Sequence, residues 1–173
     1  MTATEISLQQ ITTFVFDLDG VITDGQVLAL SDGQILRNLN TKDAFGMLHA
    51  VRQGYRLAII TGGSGKGVKE RLEGLGIRDI FTAARDKTLV MEAYIQDLRL
   101  DPNEILYLGD DMPDIPVFQM VGVSVTPSDG SDDARAAAAW TTTHPGGRGA
   151  VREVIEKVMK LQNKWYSSDV HHW

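Results

Sequence analysis

The sequence contains no cysteine. Disulfides, zinc thiolates and a cysteine nucleophile are therefore excluded, and nothing points to an oxidising compartment. No apolar run approaches the roughly 20 residues of a membrane-spanning helix. Basic charge is also scarce: 17 Lys and Arg stand against 23 Asp and Glu, for a formal net charge of -6. No Lys/Arg cluster offers the basic face that a nucleic-acid backbone requires. Met1 to Gln10 is polar and lacks the basic-then-apolar pattern of a secretion signal, so a cytoplasmic protein is expected. The 43% hydrophobic and 23% charged content fits neither the disordered nor the membrane class. At 173 residues the chain is expected to form one domain over 1–173 with its own core.

What is present is organised around Phe14-Val15-Phe16-Asp17-Leu18-Asp19-Gly20, an apolar strand running into two carboxylates and a glycine. Further apolar stretches at Tyr55–Ile60, Asp79–Ala83, Glu104–Leu108, Gly122–Thr126 and Trp140–Thr142 read as strands. Helical periodicity covers Lys42–Gln53, a segment capped by Ser64 and running to Leu75, Lys87–Leu100, Pro113–Met120, Ser131–Ala139 and Ala150–Lys164. Strands alternating with helices predict an α/β fold, a doubly wound parallel sheet covered on both faces. Two short apolar runs around Ser31-Asp32-Gly33 predict a hairpin flap over about 26–39. The tail from 165 to 173 is expected to be loose in a monomer.

Three of the strands end in polar clusters: Asp17 with Asp19, Thr61 with Gly62, and Asp110 with Asp111 and Asp114. In a parallel sheet these ends open on one edge, where Lys87 at the start of a helix also arrives. Clustered carboxylates repel until a proton or a cation intervenes, and an all-oxygen set suits Mg²⁺. A metal, an ammonium and a hydroxyl together would neutralise a phosphate dianion, so the cluster predicts phosphoryl transfer. One aspartate can attack phosphorus while its neighbour protonates the leaving group and then activates water.

Asp17-Leu18-Asp19-Gly20-Val21, Thr61-Gly62, Lys87 and Gly109-Asp110-Asp111 resemble, in order, the four motifs of the haloacid dehalogenase superfamily. The resemblance implies a Rossmann-like haloacid dehalogenase fold, with Asp17 as nucleophile and Asp19 as general acid/base. It further implies that Thr61 and Lys87 hold the phosphoryl group and that Mg²⁺ is bound by Asp17, the Asp19 carbonyl and Asp110. Asp111 and Asp114 are expected in a supporting shell. About 40 residues separate Asp19 from Thr61 and about 25 separate Thr61 from Lys87, so no cap domain fits.

The run from Asp19 to Gly25, the hairpin, Asn40-Thr41-Lys42-Asp43 and the stretch from Gly146 to Glu153 resemble the 3-deoxy-D-manno-octulosonate 8-phosphate phosphatase family. That resemblance implies a sugar-acid phosphate substrate, a tetramer assembled through the hairpin, and substrate contacts at Asn40, Thr41, Lys42, Asp43, Ala44, Gly62 and Arg71. Two arginines that better-known members use to read the sugar carboxylate are replaced here by Leu48 and Gly63. Lys42, Lys66 or Arg148 are the expected substitutes, Arg148 in a neighbour's site. A nine-carbon nonulosonate 9-phosphate phosphatase and a non-catalytic oligomerisation module stand as alternatives. Gly62 to Gly67 fails the Walker pattern and reads as a turn. His171 and His172 read as a frayed end.

Overall fold

The computed structural model describes residues 7–166. Six parallel strands form the central sheet: β1 (Thr13–Phe16), β4 (Arg56–Ile60), β5 (Asp79–Phe81), β6 (Ile105–Leu108), β7 (Val123–Thr126) and β8 (Trp140–Thr141). Their spatial order is β5-β4-β1-β6-β7-β8. The chain builds outward from β1 through β4 to β5, then crosses to the other side of β1 to lay down β6, β7 and β8. Because the connections on either side of β1 run in opposite directions, a crevice opens beyond the strand ends between β1 and β6.

The strand register decides which side chains meet which layer. Phe14 and Phe16 enter one core with Leu57, Ile59, Leu106, Leu108, Val123 and Val125. Val15 points the other way, with Ala58, Ile60, Ile105 and Tyr107. The first face is covered by α1 (Thr41–Arg52) and α6 (Ala150–Leu161), which contribute Ala44, Met47 and Ala50, and Val151, Val154, Ile155 and Val158. On that side α2 (Lys66–Gly74) adds Leu72. The opposite face is covered by α3 (Lys87–Leu98), α4 (Ile115–Phe118) and α5 (Asp132–Ala137), through Met91, Tyr94, Val117, Phe118 and Ala134. Both faces being buried, the strands must be apolar throughout, as the sequence predicts. The expected doubly wound sheet is present.

Three local expectations change. The flap is an antiparallel pair, β2 (Leu28–Ala29) with β3 (Ile35–Leu36), much shorter than the sequence suggests. All four residues are exposed, so no packed layer extends the ladder. Ser64 does not cap α2: Gly65 precedes the helix in an extended conformation without a side-chain cap. The Ser64 carbonyl is instead reached by Arg37 Nη1 at 3.3 Å. Of the predicted loose tail, Trp165 is buried, with its carbonyl 2.9 Å from His49 Nε2 and Arg152 over its ring. The expectations for His171, His172 and the rest of the tail lie outside the described residues. Among the described residues no helix is long and apolar enough to cross a membrane.

Candidate active site

Asp17 is the first residue beyond β1, and its N–H donates to the Leu108 carbonyl of β6 at 3.0 Å. That bond ties the strand end to the adjacent one, so the carboxylate is fixed at the crevice. Asp86 caps α3 by accepting from the Thr88 and Leu89 amides at 2.9 and 3.2 Å. The cap places Lys87 at the first helical position, from which Nζ reaches Asp17 Oδ2 at 3.0 Å and Asp114 Oδ1 at 2.6 Å. Thr61, at the end of β4, is buried, and its Oγ1 accepts the Gly63 amide at 3.0 Å. One acceptor lone pair is thereby used, while the hydroxyl proton stays available to a phosphate oxygen.

Asp110 approaches from the end of β6. It lies so close to the turn after Asp17 that a Cβ at Gly20 would fall 2.1 Å from its Oδ2. Gly20 has φ +87, a conformation that favours glycine, so backbone geometry and close approach demand the same residue. Asp114 is fully buried and holds the group together. Its Oδ1 accepts from Lys87 Nζ and the Tyr107 hydroxyl, both at 2.6 Å. Its Oδ2 accepts from the Asp110 and Asp111 amides at 3.0 and 3.2 Å. Asp111 itself is exposed at the turn.

Oxygens of Asp17, Asp110 and Asp114 lie within 4.8 Å of one another. Each Asp114 oxygen already accepts two donors, which leaves Asp17 and Asp110 as the carboxylates with open lone pairs. Burial pushes the Asp17 carboxyl up to about 6, with Lys87 pulling it down and Asp114 adding to the rise. Burial, then the Asp17 and Asp114 charges, push Asp110 up to about 7. Two crowded carboxyls of this kind are a fit for a hard divalent cation, which would replace their protons. Burial acts to lower the Lys87 pKa, but Asp17 and Asp114 outweigh it and raise the value, so the ammonium stays charged.

These directions predict a pH effect. A carboxyl whose folded pKa exceeds its unfolded value of about 3.9 binds its proton more tightly in the native state. The contribution of Asp17 and Asp110 to stability is therefore fullest below about 4 and is lost as pH rises through about 6 and about 7. In chelator, Asp110→Asn is expected to gain melting temperature relative to wild type as pH rises from 4 to 8. Mg²⁺ should restore the wild type at the upper end. A difference in melting temperature that stays flat across this range would count against the raised values.

The residues expected to bind substrate separate into groups. Asn40 caps α1, accepting from the Lys42 and Asp43 amides. Asp43 is fully buried and accepts the Gly149 and Arg152 amides at 3.1 and 2.7 Å, so it caps the start of α6 and cannot face a ligand. Ala44 is likewise buried in the core. Both expectations are corrected: the segment joins two helices, and its acid is consumed by backbone amides. Asn40, Thr41, Lys42 and Arg148 line a separate cleft of about 1080 Å³ to which none of Asp17, Thr61, Lys87 and Asp110 contributes. Arg148 also pairs with Asp24 at 3.5 Å. Gly62 lies in the loop after β4, Arg71 is exposed on α2, and Lys66 is 90% exposed beside Glu70.

The residue missed by sequence reasoning is Arg37. From the outgoing arm of the flap it donates through Nε to Asp19 Oδ1 at 2.6 Å and through Nη2 to Asp19 Oδ2 at 3.0 Å. The partners are 18 positions apart, with no periodic or motif signal to join them.

Comparison with known proteins gives concordant matches. A family model described as haloacid dehalogenase-like hydrolase matches residues 74–155. The 3-deoxy-D-manno-octulosonate 8-phosphate phosphatase KdsC of Escherichia coli K12 is 33% identical over 156 residues, covering 90% of this chain and 83% of that protein. Among solved structures, that of the 3-deoxy-D-manno-octulosonate 8-phosphate phosphatase from Moraxella catarrhalis, in complex with magnesium, phosphate and KDO, superposes with a TM-score of 0.91. It is 33% identical and covers 95% of each chain. The Yersinia pestis phosphatase of the same name gives a TM-score of 0.90 at 32% identity, covering 93% of this chain and 87% of that one.

Proposed function

The chain belongs to the haloacid dehalogenase-like hydrolases, and we propose that it is a Mg²⁺-dependent phosphatase that hydrolyses 3-deoxy-D-manno-octulosonate 8-phosphate. The observation that carries this reading is Asp17 joined to Lys87 at 3.0 Å, with Asp110 packed against the turn that follows. The likeness to phosphatases of that name, one of them in complex with magnesium, phosphate and KDO, supports the metal and the substrate.

Asp17 attacks phosphorus through a carboxylate oxygen as the bond from phosphorus to the sugar oxygen breaks, giving an aspartyl phosphate. Asp19, whose Oδ2 accepts only from Arg37 Nη2 among the described residues and keeps a lone pair for a proton, gives that proton to the departing sugar oxygen, then takes one from the water that attacks the aspartyl phosphate. Inorganic phosphate leaves and the Asp17 carboxylate is restored. Lys87 and the Thr61 hydroxyl hold the phosphoryl oxygens, and Asp114 fixes the direction from which Lys87 does so. Asp17, the Asp19 carbonyl and Asp110 would hold Mg²⁺, which supplies positive charge to offset the phosphate.

The flap presents Val27, Leu28, Ile35 and Leu36 to solvent. Burying these against other copies in a tetramer would remove apolar surface from water and cover an uncapped site. Light scattering reads the subunit count, and a monomer at micromolar concentration would discard the arrangement.

The substrate reading is tested by a panel of sugar-acid phosphates assayed for phosphate release with Mg²⁺. The 8-phosphate is expected to give the highest kcat/KM, at least about tenfold above a nonulosonate 9-phosphate. A reversed order would reassign the substrate to the nine-carbon acid. No release from any phosphate ester, aryl phosphate included, would leave only a non-catalytic module.

A further inference from the structure

The catalytic cluster accounts for the phosphoryl end of a substrate, but Arg37 stands outside it. Its side chain is only 6% exposed although it springs from the exposed flap, while the Asp19 carboxylate it grips is 33% exposed. The berth is made by a loop with glycines on either side of Ser64. A Cβ at Gly63 would lie 2.9 Å from Asp19 Oδ2 and 3.1 Å from Arg37 Nη2, and one at Gly65 would lie 3.4 Å from Nη1. A larger residue at 63 would meet the ion pair, so Gly63 and Arg37 are two halves of one arrangement.

The donors of the guanidinium are only partly used. Of its five N–H groups, Nε and one on Nη2 serve Asp19, and one on Nη1 serves the Ser64 carbonyl. One N–H on each terminal nitrogen has no partner among the described residues. Covered donors call for an acceptor, and two N–H groups on neighbouring guanidinium nitrogens suit a carboxylate. The other candidate cations lie elsewhere: Lys66 is out in solvent beside Glu70, Arg148 faces Asp24, and Lys42 lines the separate cleft.

We propose that Arg37 reads the carboxylate of the sugar acid, with one edge of its guanidinium held on Asp19 and the remaining donors turned to the substrate. The inference rests on the sugar-acid reading above and adds the residue that selects for it. Arg37 then ties the position of the acid group of the substrate to that of the proton donor, which aligns the leaving oxygen with Asp19.

The test compares 3-deoxy-D-manno-octulosonate 8-phosphate with the same molecule bearing a carboxamide in place of its carboxylate. Wild type is expected to favour the acid, through KM. In Arg37→Ala the preference should fall by about 10- to 100-fold, and Arg37→Lys, with charge but no fork, should lie between. Arg37→Gln keeps the aliphatic stem and a polar end without the charge and guards against a misfolded alanine variant, with melting temperature as the check on each. Loss of kcat on both substrates with the preference intact would mean that Arg37 serves Asp19 alone, and would overturn the proposal by itself. A wild type that does not distinguish acid from amide would overturn the sugar-acid reading and this proposal together.

Discussion

Asp17→Asn is expected to lower kcat by about 10⁴-fold or more while leaving the protein folded. An amide of nearly the same shape fills the buried position but offers phosphorus no anionic oxygen, so the first bond cannot form. The structural cost is small for a definable reason. Burial already drives the Asp17 carboxyl up to about 6, so the native state tolerates a neutral group there. Lys87 loses one partner yet keeps Asp114 at 2.6 Å. Phosphate release measured beside a thermal melt separates the two effects. Turnover above about one per cent of wild type, on a preparation free of contaminating phosphatase, would remove Asp17 from the nucleophile's place.

The contrast between what could and could not be read from the chain follows from how each residue is held. Asp17, Thr61 and Asp110 each stand at the end of an apolar strand, and a parallel sheet brings such ends to one edge however far apart they are in sequence. Lys87 follows the same logic through a helix start. Asp43 entered the expected substrate contacts only through the resemblance of the segment Asn40-Thr41-Lys42-Asp43 to that of the phosphatase family. Its acceptors were claimed by amides more than 100 positions away, which local pattern does not reveal. Arg37 escaped for the same cause: an exposed hairpin arm reads as flap, and only the folded turn shows that its side chain lies over a glycine loop.

Asp114 is where a substitution should damage structure and activity together. Among the five acids at this end of the sheet it is the one with no spare lone pair, since Lys87, Tyr107 and the amides of Asp110 and Asp111 take all of them. Asp114→Ala leaves a buried phenol and two turn amides without their acceptor, and a buried ammonium with Asp17 alone. The expected cost is about 3–5 kcal/mol, the range for breaking a buried ion pair from one side. Activity should fall as well, because Lys87 would then answer to Asp17 alone and the turn carrying Asp110 would lose its anchor. Asp114→Asn sharpens the case. Its amide group keeps the volume but turns a donor towards donors, so it should fall well below wild type despite its shape. Urea unfolding with and without Mg²⁺, run beside phosphate release, reads both quantities. Should Asp114→Ala unfold within about 1 kcal/mol of wild type, the shared acceptor would not be what binds strand, helix and turn into one site.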